Sequence, residues 1–295
     1  MSRGLPARGE TCYSPPRRGV RGLAAAWASW RSGYAEDCKS LHPGSIPGEA
    51  STSFFRRAAR GGGRPQPGGA TRMALTASGQ DAAAQRLNMV NGQLRVRDVN
   101  DLDLLAAFLD APREAFVAPD KARFAYIDSD QPSLGSPTRR LLAPSALARL
   151  IQAAEVKPGE RALDVGGGAG YGAAILERLG ARVVALESDA GAAAAARRLL
   201  AGREEIEVVE GDLATAAKGR GPFDVILVEG AFEVAPDALL AELSPNGRLV
   251  GIDAREGAPE AALIERLAGG FARRVLFETR AATLEGFRRT PSFAF

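Results

Sequence analysis

From residue 161 onward, short apolar runs alternate with segments of helical spacing. The apolar runs fall at 161–165, 182–186, 206–209, 223–228 and 247–252. Between them the pattern predicts helices near 170–180, 190–202 and 234–243, with a short irregular crossing at 212–220. Such alternation is the signature of a parallel sheet covered by helices on both faces. Phe223-Asp224-Val225-Ile226-Leu227-Val228 is nearly all apolar, as expected of a central strand buried on both sides. A helix at 258–269 and two extended stretches, 272–279 and about 286–294, complete the pattern. The loops of the last two are too short for a parallel crossover, so they are expected to form an antiparallel edge hairpin.

Upstream, residues 78–91 read as a helix with Ala82, Leu87 and Val90 apolar among polar neighbours. A second amphipathic helix runs from Asp98 to Leu109, with Leu102, Leu105 and Leu109 on one stripe. A connector begins at Pro112 and continues past Tyr126, and Pro132 to Pro137 is a loop. A third helix is predicted over 143–154, with Pro144 tolerated in its first turn, before a turn at 157–160. The fold class is therefore α/β. A Rossmann-like, doubly wound, mostly parallel seven-stranded sheet is expected, with an N-terminal helical region (73–157) ahead of the core (158–295).

Composition separates the front of the chain from the rest. The whole chain of 295 residues carries a net charge of +3, yet residues 1–72 alone carry +8 and residues 73–295 carry −5. The first 72 residues are rich in Arg, Gly, Pro and Ser and lack sustained apolar periodicity, so they are expected to be a disordered basic tail outside the fold. An Arg- and Ser-rich, acid-poor tail also resembles a transit peptide. The preferred reading is a tail outside the fold; one origin for it is translation from a start upstream of the true one, for which Met73 or Met89 would be the natural start. Both cysteines (Cys12, Cys38), both tryptophans (Trp27, Trp30) and the single histidine (His42) lie in this tail. A Cys nucleophile, a Ser-His-Asp triad and a His/Cys zinc site are thus excluded for the main domain. No apolar run approaches the roughly 20 residues that span a bilayer. The mildly acidic domain has no broad basic surface to suggest nucleic acid. A cytoplasmic monomer without metal is expected.

The chemistry is concentrated at Ala162-Leu163-Asp164-Val165-Gly166-Gly167-Gly168-Ala169-Gly170-Tyr171, a buried strand entering a glycine turn and then a helix. Glu187 ends the next apolar run, 21 residues after Gly166, where open α/β folds place a carboxylate for ribose hydroxyls. A phosphate loop would need Gly-Lys-Ser/Thr, and no lysine lies near the turn. Gly168-Ala169-Gly170-Tyr171-Gly172-Ala173 matches the dinucleotide pattern, so the bare pattern leaves NAD open. The frame Gly166-x-Gly168-x-Gly170, with Asp164 two residues ahead, Glu187 downstream and Gly211-Asp212 after the third strand, is instead that of S-adenosylmethionine sites. In that reading the turn admits the ligand to bare backbone. Glu187 accepts from the ribose, Asp212 accepts from the adenine amino group, and Asp164 orients the loop or meets the ammonium group. Gly172 and Gly180 are read as turn or packing glycines, and Asp189 as the cap of the helix at 190.

Several ordered segments resemble one family, the protein-L-isoaspartate O-methyltransferases. They are Asn88-Met89-Val90-Asn91-Gly92-Gln93-Leu94, Ala111-Pro112-Arg113-Glu114-Ala115-Phe116-Val117, Tyr126-Ile127-Asp128, the glycine turn through Tyr171, Val208-Val209-Glu210-Gly211-Asp212, Gly221 to Val228, and Leu239 to Leu243 followed by Gly247 to Val250. The resemblance covers about residues 85–250. It implies methyl transfer from S-adenosylmethionine to the free α-carboxylate of isoaspartyl residues in damaged proteins. It also implies a cofactor set of Asp164, Gly166, Gly168, Gly170, Tyr171, Glu187 and Asp212. The chain departs from the family where members carry a Thr-Ile-Ser-Gln-Pro-like segment: here Arg140-Leu141-Leu142-Ala143-Pro144 places Leu142 at the serine. The glycine that usually follows Gly211-Asp212 is Leu213. Arg139 and Arg140 could bind a carboxylate instead, or form a solvated basic pair. A methyltransferase with another acceptor, or a non-catalytic protein that binds the cofactor, are the alternatives.

Overall fold

The computed structural model describes residues 81–290. A helix over 81–89 (α1) runs into a π turn at Val90–Leu94 and a 3-10 turn at Arg95–Arg97. Helix α2 spans Leu102–Asp110 and is started by the Asp101 carboxylate, which accepts from the amides of Asp103 and Leu104. Two 3-10 turns, Arg113–Ala115 and Pro119–Phe124, lead to a small antiparallel hairpin of β1 (Gln131–Pro132) and β2 (Arg140–Leu141). Helix α3 (Pro144–Ala154) begins with its proline, as expected. Then follow β3 (Arg161–Val165), α4 (Tyr171–Arg178), β4 (Arg182–Glu187), α5 (Ala190–Leu199), β5 (Ile206–Glu210), β6 (Phe223–Phe232), α6 (Asp237–Ala241), β7 (Leu243–Asp253), β8 (Glu260–Leu267) and β9 (Gly270–Glu278).

The seven long strands form one sheet in the order β5-β4-β3-β6-β7-β8-β9. Strands β3 to β7 are mutually parallel, and β8 and β9 are antiparallel additions. The chain winds outward from β3 to β5 and then returns to place β6 beside β3. That reversal opens a crevice at the carboxyl ends of β3 and β6, where such sheets bind ligands. Strand alternation sends side chains to two cores. One face packs Ala162, Val183, Val225 and Leu227 under α1 to α5. The other packs Leu163, Val165, Leu186 and Val228 under Leu213, Leu239, Leu284 and Phe287. The helices of 81–154 share the first core with the sheet, so they are one body with it.

Three expectations fail. The segment predicted as a helix at 258–269 is the strand β8. Its Glu, Ala, Leu and Arg content favours helix. However, Ala261, Ala262, Leu263 and Ile264 are buried in succession between β7 and β9, and pairing on both edges outweighs propensity. The antiparallel hairpin therefore lies one element earlier than expected, between β8 and β9, joined at residues 268–269. Residues 286–290 are not a strand, and 291–295 lie outside the described residues. In α2, Leu102 and Leu109 point outward; the buried face is Leu104, Leu105, Ala107 and Phe108. The expectations for residues 1–72 also lie outside the described residues.

Candidate active site

Val165 pairs with Leu186 of β4 and Val228 of β6, and all three face the second core. Asp164 lies one residue before that rung; Glu187 and Glu229 lie one residue after it. Alternation therefore puts all three acids on the opposite face, at the level where β3 ends between β4 and β6. Above them the chain turns through Gly166, Gly168 and Gly170, with φ of +72°, +63° and +89°. These values lie in the left-handed region that glycine occupies without penalty. α4 then begins at Tyr171.

Glu187 is buried and saturated with donors. Its Oε2 accepts from the amide of Gly168 at 2.9 Å. Its Oε1 accepts from the amides of Ser188 and Asp189 and from Arg139 Nε and Nη2, the last at 2.8 Å. Arg139 is itself buried and belongs to the loop between β1 and β2. That loop forms a strap over the glycine turn. Ser133 Oγ accepts from the Ala169 amide at 2.9 Å, and Ser136 Oγ donates to Asp189 Oδ2 at 2.7 Å. A Cβ on Gly168 would lie 2.4 Å from Ser133 Oγ, so the turn and the strap touch.

Asp164 and Glu229 differ from Glu187: no N–H or O–H of the described residues makes a well-formed hydrogen bond to any of their four carboxylate oxygens. A Cβ on Gly167 would sit 2.5 Å from Asp164 Oδ2 and 2.7 Å from Glu229 Oε1, so the two carboxyl groups converge beneath the turn. Burial drives Asp164 well above the usual carboxylate range, and the Glu229 charge adds to the effect. Burial likewise pushes Glu229 up to about 7, against the opposing pull of Asp164, Arg113 and the Gly172 amide. Arg113 is fully buried nearby; Nε donates to the Ala125 carbonyl and Nη2 to the Leu142 carbonyl, while Nη1 has no partner among the described residues. Its pKa is lowered by desolvation.

The remaining expected residues are placed differently. The Tyr171 ring lies in the first core, edge-on to Phe108 and Phe116 with centroids 6.0 and 5.4 Å away, so its side chain serves packing rather than the crevice. Burial pushes its hydroxyl up to about 12. Asp212 is exposed, and its Oδ1 accepts from the amides of Ala214 and Thr215 and from Thr215 Oγ1. It thereby caps its own turn. Leu213, the departure from the family glycine, is buried in the second core beneath Gly166. Asp189 caps α5 by accepting from the Ala192 amide. Glu229 was missed by sequence reasoning, which followed the apolar run only to Val228. The signal was present, because Glu229 follows directly on the apolar run 223–228, as Glu187 follows the run 182–186. A cleft of about 80 Å³ opens beside this row, lined among others by Arg139, Arg140, Leu142, Glu229, Leu284 and Arg288.

Comparison with known proteins decides the family. Residues 85–278 match the family model described as protein-L-isoaspartate(D-aspartate) O-methyltransferase. The protein-L-isoaspartate O-methyltransferase of Methylorubrum extorquens (strain PA1) is 41% identical over 171 residues, covering 58% of this chain and 74% of that protein. The chain belongs to the protein-L-isoaspartate O-methyltransferase family. Its relative in Methylorubrum populi is 40% identical over 168 residues, covering 57% of this chain and 78% of the relative. A solved protein-L-isoaspartate O-methyltransferase is 26% identical with a TM-score of 0.60, over 68% of this chain and 66% of that one. A Plasmodium falciparum structure described as a putative member in complex with S-adenosyl-L-homocysteine has a TM-score of 0.58 at 20% identity, over 69% and 98%, and shares the fold.

The family uses S-adenosylmethionine, and the site agrees with that cofactor in kind. Two buried acids without a donor suit a ligand that carries an ammonium and a sulfonium. A strand-end carboxylate suits a ribose, and the glycine turn exposes main chain. Room is the point of tension. Small-molecule sites start at about 300 Å³, and the cleft is smaller because Ser133 and Arg139 cover the turn. A nucleoside-sized ligand therefore requires the strap to shift.

Proposed function

We infer that this chain is an S-adenosylmethionine-dependent carboxyl O-methyltransferase that esterifies isoaspartyl residues of damaged proteins and so initiates their repair. The observation that carries the reading is the family match laid over a row of strand-end acids at the sheet's switch point. Asp164, Gly166, Gly168, Gly170, Glu187 and Asp212 are assigned to the cofactor, with Glu229 added beside Asp164. Tyr171 supports the turn from the core side.

When bound, S-adenosylmethionine supplies a methyl group on a sulfonium, a leaving group that needs no proton. An acceptor carboxylate is ionised at neutral pH and is its own nucleophile, so no general base is required. This fits a main domain that contains neither His nor Cys. The protein's task is to align two reactants and exclude water, which is where most of the rate gain of such transfers arises. Arg140 and Arg288 line the cleft and offer guanidinium groups to an anionic acceptor. Leu142 also lines it, and its side chain has no hydrogen-bonding atom. That observation favours one second reading, a methyltransferase on the same scaffold with a different acceptor.

Incubating the purified chain with labelled S-adenosylmethionine and an isoaspartyl peptide separates the two. Base-labile label on the peptide, absent from the aspartyl control, is the expected result. Cofactor binding without peptide label would shift the assignment to the second reading. The chain is assigned to the cytoplasm as a monomer that needs neither metal nor nucleic acid. Among the described residues no helix is long and apolar enough to cross a membrane.

A further inference from the structure

The least explained feature of the site is the carboxyl pair Asp164–Glu229. Both side chains are buried beneath the glycine turn, Glu229 also lines the cleft, and among the described residues none of their oxygens has a well-formed partner. Two ionised carboxylates converging there without a donor would repel each other across a poorly solvated gap. A single proton between them removes half of that charge and supplies the missing donor. We propose that Asp164 and Glu229 hold one proton and one negative charge between them in the free protein, and that Glu229 is a positioning residue for the cationic half of the methyl donor, acting through Asp164 and giving up the shared proton as the cation enters. This inference rests on the reading of the site as an S-adenosylmethionine site.

The surroundings support a single exchangeable proton. From β4, Glu187 adds negative potential but is already neutralised by Arg139. From the turn before the strap, Arg113 contributes positive charge, yet two of its donor groups are tied to the carbonyls of Ala125 and Leu142. From α4 come the Tyr171 hydroxyl, itself without a partner, and the amides of Gly172 and Ala173, which are close enough to favour charge without forming good hydrogen bonds. Asp130, Arg139 and Arg140 of the strap region, and Glu285 and Arg288 of the opposite segment, line the cleft that Glu229 shares. Burial holds both acids above their ordinary values, with Glu229 at about 7, so near neutral pH the pair keeps its proton. An ammonium group arriving beside the pair favours full ionisation. One O–H bond breaks, the proton leaves to solvent, and the fixed cation takes its place. No electrons are transferred.

The test is calorimetric titration of the full chain with S-adenosylhomocysteine in buffers of different ionisation enthalpy at about pH 7. S-adenosylhomocysteine carries the ammonium group; 5′-methylthioadenosine, which lacks it, is the control ligand. The expected result is release of up to one proton per S-adenosylhomocysteine and none with the control. Affinity should strengthen as pH rises through about 7, by up to tenfold per pH unit. In Glu229→Gln, which keeps the shape of the side chain, both effects should vanish. A second measurement needs no variant: the infrared carbonyl band of a protonated carboxyl group should be present in the free chain and lost on binding. Binding without proton release, equal release by Glu229→Gln, or no change in that band overturns the inference and leaves the cofactor assignment standing. Failure of the unmodified chain to bind S-adenosylhomocysteine overturns both.

Discussion

Glu229 and Glu187 occupy equivalent rungs on adjacent sides of β3, yet their surroundings give them opposite character. Glu187 accepts three amides and a guanidinium; Glu229 accepts none of these in good geometry. The difference has a sign that can be measured. In the unfolded chain Glu229 loses its proton near 4.5, whereas in the folded chain it does so at about 7. Between those values the folded state binds the extra proton, so the contribution of this group to stability is greatest in acid and falls as pH rises from about 4.5 to about 7. Glu229→Gln removes that loss. The variant should be more stable than the parent at pH 8, by an amount of order 3 kcal/mol, with the gain disappearing by about pH 4. Urea unfolding at the two pH values measures it, and equal stability at pH 8 would contradict the burial argument. For Glu187 the expectation reverses. Glu187→Ala would strand Arg139 as a buried unpaired cation, at about 3–5 kcal/mol. Glu187→Gln is therefore the cleaner probe: it keeps an acceptor oxygen, and S-adenosylhomocysteine affinity should fall by about 1–3 kcal/mol. Unchanged calorimetric affinity would remove Glu187 from the cofactor set.

At the scale of elements, what was legible depended on whether local pattern and tertiary environment agreed. The strand β3 was read with its observed limits, and the glycine turn, α4 and the Glu187 strand end followed from the same segment. There, apolar runs, positive-φ glycines and burial all point one way. β8 failed because its residues favour a helix in isolation, while two neighbouring strands impose extension. The strap was read only as a loop, since nothing in Pro132 to Pro137 says that it will fold back across a turn more than thirty residues ahead. Only the pairings of Ser133 with Ala169 and Arg139 with Glu187 reveal that contact. They also carry a prediction. If ribose hydroxyls and Arg139 compete for Glu187, Arg139→Ala should bind S-adenosylhomocysteine more tightly than the parent. It should lose about 1–3 kcal/mol of stability, because Glu187 keeps its amide donors while the strap loses its anchor. A weaker complex in calorimetry would instead mean that Arg139 stays in place and contacts the ligand.

For the whole molecule, charge and core divide at different places from those suggested by the net figure of +3. The positive excess resides in residues 1–72, whereas among the described residues the two hydrophobic cores draw their buried side chains from Met89 to Phe287, within the net acidic 73–295 stretch. The sheet is bounded by β5 on one edge and β9 on the other. The α1 to α5 layer and the layer of Leu213, Leu239, Leu284 and Phe287 cover its two faces. Because residues 1–72 lack sustained apolar periodicity, we propose that the 73–295 chain folds and binds without them. Their removal should leave the melting temperature and S-adenosylhomocysteine affinity of the remaining 73–295 chain unchanged. What should change is charge: the isolated domain moves from net positive to −5. Retention on a cation exchanger at neutral pH should be lost, because the positive excess in the sequence of residues 1–72 goes with them. A fall in melting temperature on truncation would show that the front segment completes the fold. A fall in affinity at constant melting temperature would overturn the proposal as well.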